Sequence, residues 1–334
     1  MRDQLIHIFE SFAKKNILIV GDVMIDAYVW GEVTRISPEA PVPILSKATH
    51  EARLGGAGNV ALNIRSLGAT PILCTIIGDD EKAKLLDSLL TENGLSGHGI
   101  IKDSTRITTV KTRLISQTHH LLRVDEEDST RISPQLENRL IGKVRQIVEN
   151  EKIDAIVFED YDKGVITPTV IEGIVNFAKT LNIPTLVDPK KRNFLAYKEV
   201  SFFKPNLKEF KEGLGIEFAK SDKTAIEKAA KSYLEQTGTQ HIMVTMAEQG
   251  VFICGHNNHA FFPAQVRNIA DVSGAGDTVI SVSALCLASG LPIPLVAQIA
   301  NMAGGMVCEK PGVVPIDKNH LLQECLAKIP DYAE

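Results

Sequence analysis

Short apolar, β-branched runs recur along this chain, each followed by a stretch with helical spacing. That rhythm constrains the fold more than any other feature. Asn16–Val23 (NILIVGDV) reads as a buried strand ending in Gly-Asp, and Pro71–Gly78 (PILCTIIG) reads the same way, with a helix predicted from Asp80 to about Asn93. Asp154–Asp160 precedes a helix from Thr167 to about Leu181; Pro184–Pro189 comes next, and His241–Met246 follows a helical stretch from Lys223 to Gln236. Continuous apolar strands separated by helices call for a parallel sheet covered on both faces. The expectation is an α/β, doubly wound, mostly parallel sheet whose ligands sit outside the carboxyl ends of its strands. Two stretches break the rhythm. Tyr28–Leu45 is Pro-rich and strand-like, and Arg106–Ser116 with His119–Glu127 reads as a hairpin. They are predicted to form a small sheet projecting as a lid, over about 27–50 and 105–127; the alternative is an edge hairpin on the main sheet. The 334 residues are thus read as one domain, 1–334, plus that lid, with no room for a fused second enzyme.

Charge and cysteines narrow the partners. With 36 basic and 41 acidic residues the net charge is -5, so no global positive field draws the chain to nucleic acid or anionic lipid. A ligand must bind at a local site. Cys74, Cys254, Cys286, Cys308 and Cys325 are scattered and odd in number, which fits buried free thiols better than disulfides or a zinc cage. The N-terminus lacks the apolar core and cleavage site of a signal peptide. Val279–Ala300 is broken by Gly290, Pro292 and Pro294, so it reads as two buried helices rather than a membrane span. The expected location is cytoplasmic.

Four segments carry chemistry. In Asp271–Gly290 (DVSGAGDTVISVSALCLASG), Gly274, Ala275 and Gly276 lead into an apolar helix. Their amides and the helix dipole suit an anion. Asp277 in the first turn is placed to take a proton from an attacking hydroxyl, or merely to stabilise the helix N-terminus. In Gly55–Ala69 two glycines, Gly55 and Gly56, permit close backbone approach to a ligand, and Asn59 can hydrogen-bond a hydroxyl. Position 61 is Ala61, so no dinucleotide G-x-G-x-x-G exists. In Lys204–Phe210 (KPNLKEF), Asn206 and Glu209 lie three apart. That spacing makes a capping box, and an amide beside a carboxylate can equally hold a hydrated Mg²⁺. In Val244–Gly250 (VTMAEQG), Thr245 can reach a phosphate and Gly250 marks a turn.

Taken together and in this order, GGAGN, NLKE, VTMAEQG and DVSGAGD resemble the PfkB/ribokinase family of sugar kinases, over nearly the whole chain. The resemblance implies a ribokinase-like fold, ATP and Mg²⁺ as cofactors, and a sugar as second substrate. It makes Asp277 the catalytic base, with Gly274, Ala275 and Gly276 as the anion hole. It assigns Asn206, Glu209 (metal through water), Thr245, Gly250 and Asn301 to the nucleotide and metal. Asp26, Gly55, Gly56 and Asn59 fall on the sugar side. Val272, Ser273 and Ala247 depart from the family, which commonly has Thr, Thr and Gly there. Arg35–Leu45 (RISPEAPVPIL), Glu159–Gly164 (EDYDKG) and Leu186–Lys191 (LVDPKK) resemble, more narrowly, the family's heptose 7-phosphate kinases that act at the anomeric oxygen. The alternatives are another sugar or nucleoside kinase of the family, or a non-catalytic sensor.

A phosphorylated sugar needs cations at its distal end. Lys111 and Arg113 alternate on one lid strand, and Lys163 and Lys190 follow strand ends. Asp160 is the better hydroxyl-binding candidate of the Glu159–Asp160 pair. Val29, Trp30, Val33 and Ile36 give the lid an apolar face, so a homodimer through the lid is expected.

Overall fold

The computed structural model describes residues 2–117 and 119–329. In chain order its strands are β1 (Asn16–Gly21), β2 (Val23–Ile36), β3 (Pro43–Gly56), β4 (Thr70–Gly78), β5 (Gly99–Asp103), β6 (Val110–Ser116), β7 (His119–Glu126), β8 (Ala155–Glu159), β9 (Thr185–Asp188), β10 (Phe202–Phe203), β11 (His241–Thr245), β12 (Val251–Gly255) and β13 (His259–Phe262). The helices are α1 (Arg2–Ser11), α2 (Ala57–Ser66), α3 (Glu81–Glu92), α4 (Pro134–Asn150), α5 (Pro168–Thr180), α6 (Leu207–Leu214), α7 (Lys223–Thr237), α8 (Ala275–Ala288), α9 (Ile293–Val307) and α10 (Lys318–Lys328).

Among the described residues the main sheet has nine strands in the order β13-β12-β11-β10-β9-β8-β1-β4-β5. From β11 to β5 every pairing is parallel; β12 and β13 close one edge antiparallel. Side-chain alternation explains why both faces need cover. On β1, Ile17 and Ile19 enter one apolar cluster with residues of α2, α8 and α9, while Leu18 and Val20 enter the other with residues of α4, α5 and α7. α8 is buried almost all round from Asp277 to Cys286, as an apolar helix lying in the middle of one layer must be. The helix starts follow local capping chemistry. Asp80 accepts from the amide of Ala83 ahead of α3, and Thr167 from that of Val170 ahead of α5.

The rhythm-breaking stretches form a separate four-stranded sheet, β3-β2-β6-β7, rather than an edge hairpin. β2 pairs antiparallel with β3 and parallel with β6. The sheet begins earlier and ends later than its sequence bounds, because β2 follows β1 with only Asp22 between and β3 runs on to Gly56. The second hairpin is shorter at its start: β6 begins at Val110, not Arg106. The preceding segment instead buries the Arg106 guanidinium, which donates to the carbonyls of Thr130, Asp128 and Lys163 at 2.8, 3.1 and 2.6 Å. All five cysteines are buried and free. Among the described residues no helix is long and apolar enough to cross a membrane.

Candidate active site

The parallel sheet gathers residues remote in sequence at its carboxyl edge. Asp277, in the first turn of α8, is 5% exposed. Both of its carboxylate oxygens are hydrogen-bonded. Asn59 Nδ2 donates to Oδ2 at 2.6 Å, and the Tyr161 hydroxyl donates to Oδ1 at 2.9 Å. Burial pushes the Asp277 carboxyl up to about 6; Asn59 pulls it back and Asp188 adds to the rise. Gly274 caps α8 with φ +77, a left-handed backbone that a side chain would strain. A Cβ there would also lie 2.9 Å from Asn59 Nδ2. The first-turn amides of such a helix have no acceptor within it; that of Ala275 donates to the Val272 carbonyl at 3.3 Å.

Glu159 at the end of β8 and Asp188 at the end of β9 complete the cluster. Ligand atoms of Glu159, Asp188 and Asp277 all lie within 4.8 Å of one another. Glu159 is 1% exposed, and its Oε2 is buried without a hydrogen-bond partner. Burial, then Asp188 and Asp277, hold its carboxyl well above the usual range. Lys204, 2% exposed, sets its ammonium 2.7 Å from Asp188 Oδ2. Burial pulls that ammonium down, but Asp188 and Glu209 more than restore it, so its pKa is raised. A Cβ on Gly276 would meet Asp188 Oδ2 and Lys204 Nζ at 3.5 Å, so the helix start packs directly on this ion pair.

Asn206 and Glu209 form the reciprocal capping box of α6: Asn206 Oδ1 accepts from the Glu209 amide at 2.8 Å and Glu209 Oε2 from the Asn206 amide at 2.9 Å. Glu209 Oε1 is paired with Lys190. Lys190 and Lys204 both feel Asp188, Glu209 and Glu159, which ties this group to the carboxylate cluster. Thr245 bridges to Asn206 at the adjoining strand end. Gly250 and Asn301 meet at one turn. A Cβ on Gly250 would strike the Phe262 carbonyl at 2.0 Å, and Asn301 Nδ2 donates to the Pro263 carbonyl at 3.0 Å.

On the second sheet, Asp26 Oδ1 accepts from Arg113 at 2.5 Å. Gly55 must be small there, since a Cβ would lie 2.2 Å from Asp26 Oδ2. Gly56, at φ +57, turns the chain into α2 and so places Asn59. The distal cations are not a free positive cluster. Lys111 pairs with Asp125 at 3.0 Å and Glu127 at 2.9 Å, and Lys163 pairs with Glu127 at 2.8 Å. Their carboxylate partners come from the second strand of the hairpin and the loop after it. Asp160 lies on the far side of the strand end. It accepts from Asn193 Nδ2 at 3.0 Å and the Tyr197 hydroxyl at 2.9 Å, and burial pushes its carboxyl up to about 7. Glu159, ranked lower from sequence, is the one that joins Asp277. Sequence reasoning also missed Tyr161, Asp188 and Lys204, although each lies at a strand end where a doubly wound sheet binds ligands.

The model of pfkB family carbohydrate kinases matches residues 14–319. The chain belongs to the pfkB family. It is 37% identical over 324 residues to the "Bifunctional protein HldE" of Desulfatibacillum aliphaticivorans, covering 96% of this chain and 65% of that protein. It is 40% identical over 315 residues to the Caulobacter vibrioides protein of the same name, covering 93% of this chain and 64% of that one. The chain therefore spans slightly under two thirds of the length of these relatives. Among solved structures it resembles phosphofructokinase-2 from Escherichia coli in complex with potassium, with a TM-score of 0.73, 17% identity and coverage of 94% and 98%. It also resembles Arabidopsis thaliana ribokinase complexed with ribose and ATP, with a TM-score of 0.70, 14% identity and coverage of 92% and 99%. These likenesses agree on the pfkB fold with its separate small sheet.

One departure from the pfkB pattern carries a visible cost. Ala247, where the resemblance has Gly, adopts φ +52. An L-residue in that region loses roughly 1–2 kcal/mol. Ala247→Gly is expected to raise the unfolding free energy by ~1 kcal/mol, part of the gain being lost to unfolded-chain entropy; equilibrium urea unfolding checks it, and an unchanged or lower midpoint refutes the strain.

Proposed function

We propose that this chain transfers the γ-phosphoryl group of ATP to the anomeric hydroxyl of a heptose 7-phosphate, yielding the 1,7-bisphosphate for nucleotide-activated heptose. The observation that carries the reading is Asp277. It is a buried carboxylate at the mouth of an anion-binding helix start, its carboxyl poised at about 6. It would take the proton as the hydroxyl oxygen attacks the γ-phosphorus and the bond to the β-phosphate oxygen breaks. The amides of Gly274, Ala275 and Gly276 and the Lys190 and Lys204 ammoniums would face the charge that spreads over the transferring group. The second sheet would act as a lid that keeps water out.

The hard oxygen donors of Glu159 and Asp188 suit Mg²⁺, and the unpartnered Glu159 Oε2 has room for a cation. Asn206 and Glu209 would hold its water shell on the α6 side once Lys190 turns to phosphate. Bound there, Mg²⁺ would neutralise phosphate charge. Arg113, Lys111 and Lys163 would exchange their carboxylate partners for the distal phosphate, with Asp26 and the Gly55–Gly56 turn against the sugar. Thr245, Gly250 and Asn301 would line the nucleotide side. The heptose identity rests on the narrower resemblance and on relatives named HldE.

Asp277 must be ionised to act, so kcat/KM should rise with pH and level off above about 6, dropping tenfold per unit below it. A profile flat down to pH 4.5 would remove Asp277 from the role. The substrate is tested by ATP consumption against heptose 7-phosphate, fructose phosphates and adenosine. Preference for either of the latter replaces the heptose reading with its family alternative; no sugar dependence at all leaves a sensor.

The face of the second sheet that carries Val29 also exposes Leu122 and Val124, and Ile36 at the end of β2 and Val42 in the loop after it are exposed as well. That apolar surface favours a homodimer through the lid. Light scattering at micromolar protein should give twice the chain mass; a monomer mass contradicts it.

A further inference from the structure

Both oxygens of the proposed base already accept a hydrogen bond before any substrate arrives. A general base needs one oxygen within about 2.6–3.2 Å of the proton it removes. Asp277 Oδ2 is occupied by Asn59 and Oδ1 by Tyr161, at 2.6 and 2.9 Å. Each carboxylate oxygen keeps a second lone-pair site, so an acceptor hydroxyl can join Asp277 beside these donors or take the place of one of them.

The two donors are not equally held. Asn59 is 1% exposed in the first turn of α2. Its carbonyl accepts from Asn63 Nδ2 at 3.0 Å, and Asn63 is itself fixed by Thr278 and the Ile316 amide at 3.1 and 3.0 Å. Tyr161 is only half-buried and sits in the loop after β8. Its backbone amide is anchored by Asp22 at 2.8 Å, so the side chain can swing while the loop stays put. The ring lies 3.5 Å from where a Cβ on Gly56 would be, and the Lys190 ammonium stands 5.2 Å above its centroid. Its hydroxyl thus occupies the gap between the Gly55–Gly56 turn and the base, with the nucleotide-side lysine on its flank.

We propose that the Tyr161 hydroxyl stands in for the acceptor hydroxyl in the sugar-free enzyme, holding Asp277 in its working orientation and barring water from Oδ1 until the sugar displaces it. A phenol has the same hydrogen-bonding group as a sugar alcohol, one donor and lone pairs, so the exchange costs the carboxylate little. Water at Oδ1 would be activated as the sugar is. Its oxygen would bond to the γ-phosphorus of ATP, the bond to the β-phosphate oxygen would break, its proton would pass to Asp277, and ADP and phosphate would leave. Tyr161 is in this account a positioning residue that sets the partition between sugar and water. The inference rests on the kinase reading given above.

The test compares Tyr161→Phe with wild type in the full chain, measuring ATP hydrolysis without sugar and ATP consumption with heptose 7-phosphate. Sugar-free hydrolysis should rise, and the ratio of sugar phosphorylation to hydrolysis should fall about tenfold, the upper end for one lost hydrogen bond. Tyr161→Met, which lacks the hydroxyl in a different shape, should shift the ratio the same way. Both rates falling in parallel, as a purely structural role predicts, or sugar-free hydrolysis unchanged, overturns the proposal while leaving the kinase standing. A wild-type chain that consumes no ATP with any sugar phosphate overturns the kinase reading and this inference with it.

Discussion

Replacing Asp277 with Asn is expected to lower sugar-dependent turnover by about 10²–10⁴, the range for a positioned general base, without unfolding the protein. The stability sign follows from the raised carboxyl. Its folded pKa of about 6 lies above the ordinary 3.8. The unfolded chain therefore ionises first as pH rises, and folding loses stability between those two values. At pH 8 the wild type carries that full penalty, ~3 kcal/mol at 1.36 kcal/mol per unit. Asn does not ionise; its one oxygen can still accept from Asn59, and its NH2 can donate to the Tyr161 hydroxyl oxygen in place of the bond that Tyr161 gave. Asp277→Asn should thus melt no lower than wild type at pH 8. Loss of activity with a collapsed melting transition would make Asp277 a structural residue; near-normal turnover with intact melting would remove it from the chemistry.

The second large effect concerns Lys204. Its ammonium is 2.7 Å from Asp188 Oδ2 inside a cluster that also holds Glu159 and Asp277. Removing one partner of a buried ion pair leaves an uncompensated charge and costs about 3–5 kcal/mol. Because the folded pKa of Lys204 is raised, its contribution is present at neutral pH and is lost only as pH climbs through that value. Lys204→Met should therefore lower the unfolding free energy by that amount at pH 7, read by urea denaturation. A loss below about 1 kcal/mol would mean that Asp188 is compensated by other groups.

The fold was legible where local and global signals coincide. β1, β4, β8 and β11 announce themselves as apolar runs, and the Asp80 and Thr167 caps fix where their helices begin. β10 is only Phe202–Phe203, too short for any period to register. The second sheet was legible as an interruption of the rhythm, but not its full reach back to Val23, because Gly21-Asp22 reads as the end of a strand and not as a step between two. At the site, Asp277, Gly274 and Asn59 were legible since each lies in a glycine-marked helix start. Tyr161, Asp188 and Lys204 were not, because only the parallel order of β1, β8, β9 and β10 brings them together. The Asn206–Glu209 spacing served two meanings at once, and the structure shows the capping box made. The cations were visible one by one in the sequence; their carboxylate partners Asp125 and Glu127 were not, because pairing across a hairpin depends on register and strand ends.

Phosphorus NMR of the reaction of ATP with heptose 7-phosphate tests the central claim most directly. One ADP should form for each new sugar phosphate, and the new phosphorus should couple to the anomeric proton while the 7-phosphate signal persists. A new signal coupled to any other sugar proton, or ADP accompanied only by inorganic phosphate, would contradict it.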